Sequence, residues 1–247
     1  MYLKFLPSFF LLIALSSAHR IRIYNNCPVT VWPAIQGIPG HEHLENGGFK
    51  LNSRTERYVV MPNDWKGKIW ARTKCDSRGR CETGGCGNRI QCNGAAGAPP
   101  LTLADITFSG GAGRDFYEIT LVNGYNIGMT LVPVGGIRPF AAGRFDCKAA
   151  GCKSDLNTRC PNELAVKSGR TTIACKSACA ALNTDQYCCR GAFNSARTCR
   201  SRNWPKNYAA IFKGACPDAT SYAYDDQRST FSCRPAPPTN YLMILCP

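Results

Sequence analysis

The sequence predicts a mainly β protein whose sheets are held together by disulfides and which carries a disulfide-rich insertion. Three observations lead to this fold class. Several short runs alternate apolar and polar side chains with the period of two that half-buried strands show. Sixteen of the 247 residues are cysteine, an even number, as full pairing into eight bridges requires. Hydrophobic residues make up 44% of the chain and charged residues 19%, which excludes a disordered chain.

The first eighteen residues, MYLKFLPSFFLLIALSSA, are typical of a secretory signal. Lys4 precedes an apolar run that is shorter than the roughly 20 residues needed to span a bilayer. Ser16 and Ala18 are small residues at the −3 and −1 positions of a cleavage site, so the mature chain would begin at His19. We therefore expect a secreted, extracellular protein without stable membrane insertion.

The first part of the mature chain contains three predicted strands, in the runs IRIYNN, VTVWPAI and ERYVVM. The segment 75–100 holds four cysteines among many glycines and ends in two prolines, which predicts a stapled loop with little regular structure. Strand patterns return in LTLADITF and in DFYEITLVNGYNIGMTLVPV, where Asn123-Gly124 is a favourable tight-turn pair.

The region 147–216 is crowded with cysteines, including the adjacent pair Cys188-Cys189. Short helices are predicted around 175–182 and 205–213, where Pro205 suits a helix start. The tail, ending in NYLMILCP, has a strand pattern again. We predict that this last strand closes the same sandwich that the N-terminal strands begin.

The chain is strongly basic, with 30 Lys and Arg against 16 Asp and Glu. Removal of Lys4 with the signal lowers the formal net charge from +14 to +13. Such a charge concentrates a protein at anionic microbial surfaces. No nucleic-acid partner is expected, because the sequence has no recognition element. No metal or cofactor is expected either, since His41 and His43 lack a third ligand and no nucleotide-binding motif is present.

Several segments, in order along the whole mature chain, resemble the thaumatin-like protein family of the pathogenesis-related, antifungal type. They are NNCPVTVWPA, KIWARTKC, GRCETGGCGNRIQC, APPLTLADITF, DFYEITLVNGYNIGM, QYCCRGAFNSARTC, CPDATSYAYDD and NYLMILCP. Two positions depart from the family signature: Gly85 stands where an Asp is usual, and Ser77 where a Gly is usual.

The resemblance implies an antiparallel β-sandwich core, a disulfide-rich helical domain and a small stapled loop domain, and we expect a monomer. The implied ranges are 1–18 for the signal peptide, 19–72, 100–153 and 217–247 for the sandwich core, 73–99 for the loop domain and 154–216 for the disulfide-rich helical domain. The implied disulfides are Cys27–Cys246, Cys75–Cys81, Cys86–Cys92, Cys147–Cys233, Cys152–Cys216, Cys160–Cys175, Cys179–Cys188 and Cys189–Cys199.

The resemblance also implies a cleft lined by one Arg and four carboxylates, to which antifungal activity, β-1,3-glucan binding and weak endo-β-1,3-glucanase action are attributed in the family. The matching positions here are Lys68, Asp105, Glu118, Asn123 and one of the pair Asp225 and Asp226, of which we favour Asp225. Tyr117, Tyr125, Tyr222 and Tyr224 flank these positions in sequence; they could stack on sugars, although core packing is the commoner fate of such rings.

The chemistry of these positions differs from the family pattern. Lys68 keeps a positive charge but loses the planar fork of Arg. Asn123 removes one acidic neighbour, which weakens the like-charge repulsion that could keep a carboxyl group protonated. Its neutral amide suits hydrogen bonding to sugar hydroxyls. Three carboxylates remain, so either Asp105 or Glu118 could act as the acid, with the other or Asp225 as base or nucleophile.

Three functional hypotheses follow. The leading one is a secreted defence protein that binds fungal cell-wall β-1,3-glucan and perturbs the cell surface without being a robust enzyme. The second is a slow endo-β-1,3-glucanase that uses Asp105, Glu118 and Asp225. The third is a non-catalytic inhibitor or receptor-binding protein, whose activity would survive the joint replacement of Lys68 and Asp225.

Overall fold

The computed structural model describes residues 18–135, 143–225, 229–234 and 239–247. All but the last residue of the predicted signal, 1–18, therefore lies outside the described residues. In the described part of the chain, no helix is long and apolar enough to cross a membrane.

In the described residues, the regular structure consists of thirteen strands and three α-helices, with short 3₁₀ turns between them. The strands are β1 (His19–Asn25), β2 (Val31–Gly37), β3 (Glu56–Met61), β4 (Lys66–Thr73), β5 (Leu103–Thr107), β6 (Asp115–Thr120), β7 (Met129–Val134), β8 (Ala150–Cys152), β9 (Ala165–Ser168), β10 (Thr171–Cys175), β11 (Ala219–Thr220), β12 (Phe231–Cys233) and β13 (Asn240–Leu245). The helices are α1 (Ala178–Leu182), α2 (Asp185–Cys188) and α3 (Tyr208–Ala215).

Two sheets form the core. The first has the strand order β3-β1-β13-β7-β8 and the second the order β11-β6-β5-β4-β2, with β12 also pairing with β6. Ile21 and Met61 of the first sheet belong to the same buried cluster as Ile69, Ile106 and Ile119 of the second. The inner faces of the two sheets thus share one hydrophobic core, which excludes water from both. The predicted mainly β fold is confirmed.

The two ends of the chain lie side by side. β13 occupies the middle of the first sheet and pairs with β1 in a parallel arrangement, whereas its other neighbour, β7, is antiparallel. The predicted closure of the sandwich by the last strand is confirmed. The sheets are not purely antiparallel, since β11 also runs parallel to β6. Parallel neighbours require a long connection, and here most of the chain lies between β1 and β13.

The eight disulfides use all sixteen cysteines and have the pairing that the resemblance implies. The described chain between β4 and β5 (74–102) contains no helix or strand, as predicted for a stapled loop. The limits proposed for the three domains stay predictions.

The helices lie close to their predicted positions but begin later. The side chains of Ser177 and Asn207 accept hydrogen bonds from the backbone N–H groups of Ala180 and Ala210, and so cap α1 and α3. The expected role of Pro205 as a helix start is therefore wrong. An asparagine cap satisfies a free N–H donor of the first turn, which a proline cannot do.

Candidate functional site

The candidate site lies on the outer face of the second sheet, the face turned away from the core. Strand pairing places Lys68 opposite Gln36 on one side and opposite Asp105 on the other. Asp105 in turn lies opposite Glu118. Side chains that are directly opposite on neighbouring strands point to the same face, with Cβ atoms about 4.5–5.5 Å apart. Gln36, Lys68, Asp105 and Glu118 therefore form one row across four strands, which we call the polar row.

Lys68 and Asp105 form the centre of the polar row. Nζ of Lys68 lies 3.8 Å from Oδ2 of Asp105, and the two side chains are 41% and 36% exposed. Partial burial raises the pKa of Asp105 above its ordinary value, and the positive charge of Lys68 opposes that rise. The carboxyl group of Asp105 therefore holds a proton to a higher pH than an ordinary aspartate does.

Glu118 ends the row beside the last residue of β11 and the residue before β12. Its Oε2 accepts hydrogen bonds from the hydroxyl groups of Thr220 (2.8 Å) and Thr230 (3.4 Å). These contacts fix one carboxylate oxygen beside Asp105. Two carboxyl groups that share one face of the sheet can hydrogen-bond the hydroxyl groups of a sugar, which both donate and accept.

Asp225 has a different environment from the other two acids. It is 9% exposed, and its Oδ2 accepts hydrogen bonds from the backbone N–H (2.9 Å) and the hydroxyl (2.8 Å) of Ser221. The same oxygen lies 3.0 Å from Nζ of Lys213 on α3. These contacts tie the chain after β11 to the disulfide-rich region. Asp226 lies outside the described residues.

Asn123 lies in the turn after β6 and is exposed to solvent. Its backbone carbonyl accepts a hydrogen bond from the N–H of Leu101. The residue contributes to the wall of a cavity of about 200 Å³, which it shares with Pro99 and with aromatic side chains of the disulfide-rich region, Trp204 and Tyr208. Strand register thus brings together Lys68, Asp105 and Glu118, whereas Asn123 lies beyond the end of β6, in the wall of this cavity.

The predicted flanking tyrosines divide into two pairs. Tyr117 and Tyr125 are each 1% exposed, and their hydroxyl groups donate to the carbonyls of Lys148 and Ser154. They are core residues, as large rings with a satisfied hydroxyl usually are, and stacking of a sugar on them is excluded by their burial. Tyr222 and Tyr224 are half-buried and remain accessible.

One side of the polar row is bounded by the stapled loop. Ala34, Trp70 and Leu103 lie two residues further along the same face and are buried with Cys86 and Cys92 of the loop. The side-chain amide of Gln36 donates to the carbonyl of Gly94 (2.7 Å), and the indole N–H of Trp70 donates to that of Gly84 (2.8 Å). The loop therefore covers the outer face at these buried residues, contacts the polar row at Gln36, and leaves Lys68 and Asp105 partly exposed.

Arg72, which the sequence analysis did not single out, fastens this loop. Its side chain is fully buried, and its guanidinium donates to the carbonyls of Trp32, Pro33, Arg89 and Ile90 at 2.7–3.3 Å. Burial lowers the pKa of Arg72 to about 10, so the group stays charged at neutral pH. Its place on the same face as Lys68 and Trp70 was visible in the sequence, but the loop carbonyls that it binds were not.

Comparisons with known proteins agree with this architecture. The family model described as "Thaumatin family" matches residues 25–247. The chain is 49% identical to "Pathogenesis-related protein 5" of Arabidopsis thaliana over 227 residues, which is 90% of this chain and 88% of the relative. It is 41% identical to a "Glucan endo-1,3-beta-glucosidase" of Prunus avium over 244 residues, 96% and 94% of the two chains. Among solved structures, a β-1,3-glucanase domain (GH64) from Clostridium beijerinckii has the same fold, with a TM-score of 0.55, 10% identity and coverage of 92% and 98%.

Proposed function

The chain belongs to the thaumatin family, and from this premise we propose that it is a secreted defence protein that binds β-1,3-glucan of fungal or other microbial cell walls and perturbs the surface beneath. The observation that carries the proposal is the polar row. Lys68, Asp105 and Glu118 stand in register on an open strip of sheet, where successive sugars can meet successive strands. The β-1,3-glucanase named among the relatives supports glucan as the ligand class.

Secretion is supported by the start of β1. The strand begins at His19, the first residue after the proposed cleavage site. The imidazole Nδ1 of His19 donates to the carbonyl of Thr239 (2.8 Å), and its ring stacks on Phe108 with centroids 4.0 Å apart. The first residue of the mature chain thus has its own place in the core, so cleavage before it leaves the sheet intact. Eight disulfides also suit an oxidising, extracellular environment.

The contacts that Asp105, Glu118 and Asp225 already make favour glucan binding over glucan hydrolysis. Asp225 is engaged by Lys213 and Ser221, which leaves it poorly placed to act as a base or nucleophile. Asp105 and Glu118 can each accept and hold sugar hydroxyl groups without any proton transfer. The positive charge of the whole protein adds attraction to anionic cell surfaces, and this attraction weakens with salt.

A pull-down on insoluble β-1,3-glucan at about 150 mM salt, where surface charges are screened beyond about 8 Å, tests the proposal. We expect the mature protein to be retained and the double variant Asp105→Asn/Glu118→Gln to remain mostly in solution. The matched control is Glu45→Gln/Glu56→Gln, which removes two acids that form ion pairs with Arg57 and Arg22 on the first sheet. The proposal fails if the wild type stays in solution, or if both double variants bind alike.

A weak endo-β-1,3-glucanase is the second candidate, favoured by the raised pKa of Asp105. A raised pKa makes a carboxyl group a better proton donor to the glycosidic oxygen near neutral pH than an ordinary aspartate, and Glu118 on the next strand could then act as base or nucleophile. Release of reducing ends from laminarin measures this activity. We expect Glu118→Gln to abolish any release, and release that survives the change would exclude this assignment.

A further inference from the structure

A second concave surface includes Asp225 in its wall and none of the residues of the polar row. It is a groove of about 640 Å³ between α3, the turn at 200–202 and the segment 221–225. Four cationic side chains line it: Arg144, Arg200, Arg202 and Lys213. We call it the basic groove. Its only acidic lining residue among those described is Asp225.

The four cations differ in what they already bind. Nζ of Lys213 pairs with Asp225 and also donates to the carbonyl of Ala219 (2.7 Å), so Lys213 is occupied. Arg144 pairs with Asp218 at the rim (3.2 Å). Arg200 and Arg202 are exposed, and among the described residues neither guanidinium has a hydrogen-bond or ion-pair partner. The basic groove therefore presents two planar, charged donor forks to whatever enters it.

The rest of the groove is suited to a sugar. Tyr222 and Tyr224 are half-buried and line the wall, so that apolar ring surface stands beside the free guanidinium groups. The Tyr222 ring is held in place by Trp204, with centroids 5.1 Å apart, and the hydroxyl of Tyr224 donates to the carbonyl of Asn194. The hydroxyl of Ser201 adds a short polar group. Aromatic faces pack against sugar rings, while an Arg fork matches the two oxygens of a carboxylate.

We propose that the basic groove binds an acidic polysaccharide built from uronate sugars, with carboxylates on Arg200 and Arg202 and a sugar ring against Tyr222 or Tyr224. This site is separate from the polar row, which has acids where the groove has cations. It gives the protein a second polysaccharide ligand, which is anionic where the glucan is neutral. A neutral glucan has no group that would use the two free guanidinium forks.

Calorimetric titration of the mature protein with tetragalacturonate at about 150 mM salt tests the proposal. We expect Arg200→Gln/Arg202→Gln to raise the Kd by about tenfold or more, the change that loss of one charge-assisted hydrogen bond produces. The matched control is Arg159→Gln/Arg170→Gln, which removes the same charge from exposed positions of the same region outside the groove. It should change the Kd by less than about threefold.

Three results would overturn the proposal. The first is that tetragalacturonate does not bind, and the second is that the two double variants weaken its binding equally. The third is that inorganic polyphosphate of similar charge binds with the same affinity, which would show that the sugar rings contribute nothing. Retention on β-1,3-glucan should be unchanged in Arg200→Gln/Arg202→Gln. This measurement keeps a failure of the basic groove distinct from a failure of the polar row.

Discussion

Replacing Arg72 by Met is the most direct test of how the site is built. Arg72 is a fully buried residue of β4 whose guanidinium joins the second sheet to the stapled loop. Methionine fills a similar volume but donates no hydrogen bond. The change therefore removes the hydrogen bonds that hold the loop to the sheet, while no residue of the polar row is replaced.

The size of the effect follows from the four carbonyls that lose the guanidinium as a donor. The carbonyl of Pro33 keeps a second donor, the N–H of Phe49 (3.1 Å), and those of Arg89 and Ile90 lie in the loop and can turn towards water. The loss is therefore set by hydrogen bonds to a charged group, which contribute about 1.5–3 kcal/mol each, and not by orphaned acceptors. The guanidinium no longer has to be desolvated, which offsets part of the loss. We expect the free energy of unfolding to fall by about 2 kcal/mol.

Urea unfolding with the disulfides intact measures this change, and hydrogen exchange of the amides at 86–93 shows where it acts. We expect faster exchange in the loop and weaker retention on β-1,3-glucan, because the wall beside the polar row loosens. Arg72→Lys keeps the charge but lacks the fork, so its loss should be smaller. Arg78→Met, at an exposed position of the same loop, should cost less than about 0.5 kcal/mol. A loss below about 1 kcal/mol in Arg72→Met, or unchanged exchange in the loop, would refute the reasoning.

Three further predictions concern stability. Replacing Cys27 and Cys246 by Ser should lower the free energy of unfolding by about 5 kcal/mol. The two cysteines are 219 positions apart, and the shortest covalent path between them through the other bridges still closes a loop of over about 100 residues. A loss below about 2 kcal/mol in urea unfolding would contradict the entropic argument. The hydrogen bond from Lys206 is the largest cause that lowers the pKa of Glu163 to about 2. The stabilisation that the ionised Glu163 gives the folded state is therefore present above pH 4.5 and is lost as the pH falls to 2. The difference in free energy of unfolding between wild type and Glu163→Gln should narrow over that range, and a constant difference would refute this. Asp225→Asn removes the charge that pairs with Lys213 of α3 and should lower the free energy of unfolding by about 2 kcal/mol. The melting temperature should then be about 4–8 °C lower, and an unchanged melting temperature would refute the structural role of Asp225.

The elements that follow from local pattern could be predicted well. The alternation in β1 matches its burial, with every second side chain inside. The turn at Asn123 and Gly124 forms as expected, with the N–H of Gly124 donating to the carbonyl of Leu121. These features depend on neighbours in sequence, which a single chain displays directly. The parallel pairing of β1 with β13 depends on contacts between the two ends of the chain and could be expected only as a shared sandwich.

The candidate site was predicted in its residues and only partly in its geometry. The resemblance pointed to Lys68, Asp105 and Glu118, and strand register now explains why they meet on one face. Arg72 was missed because an arginine at the end of a strand is usually exposed, and only the loop that folds over it makes it a buried donor. Tyr117 and Tyr125 were placed beside the cleft by sequence, but the alternation of β6 and the fold of the following turn direct them into the core.

Asp225 shows why a residue near a site need not act on a ligand. Its carboxylate is held by Lys213 and Ser221, so its charge is already neutralised. Thr220, the residue before Ser221, in turn donates to Glu118 at the end of the polar row. The same short segment therefore positions Glu118 on one side and forms a wall of the basic groove on the other. Because the ion pair acts through the backbone that both surfaces share, removing it would disturb glucan and uronate binding together, whereas a change in either surface alone would affect one ligand.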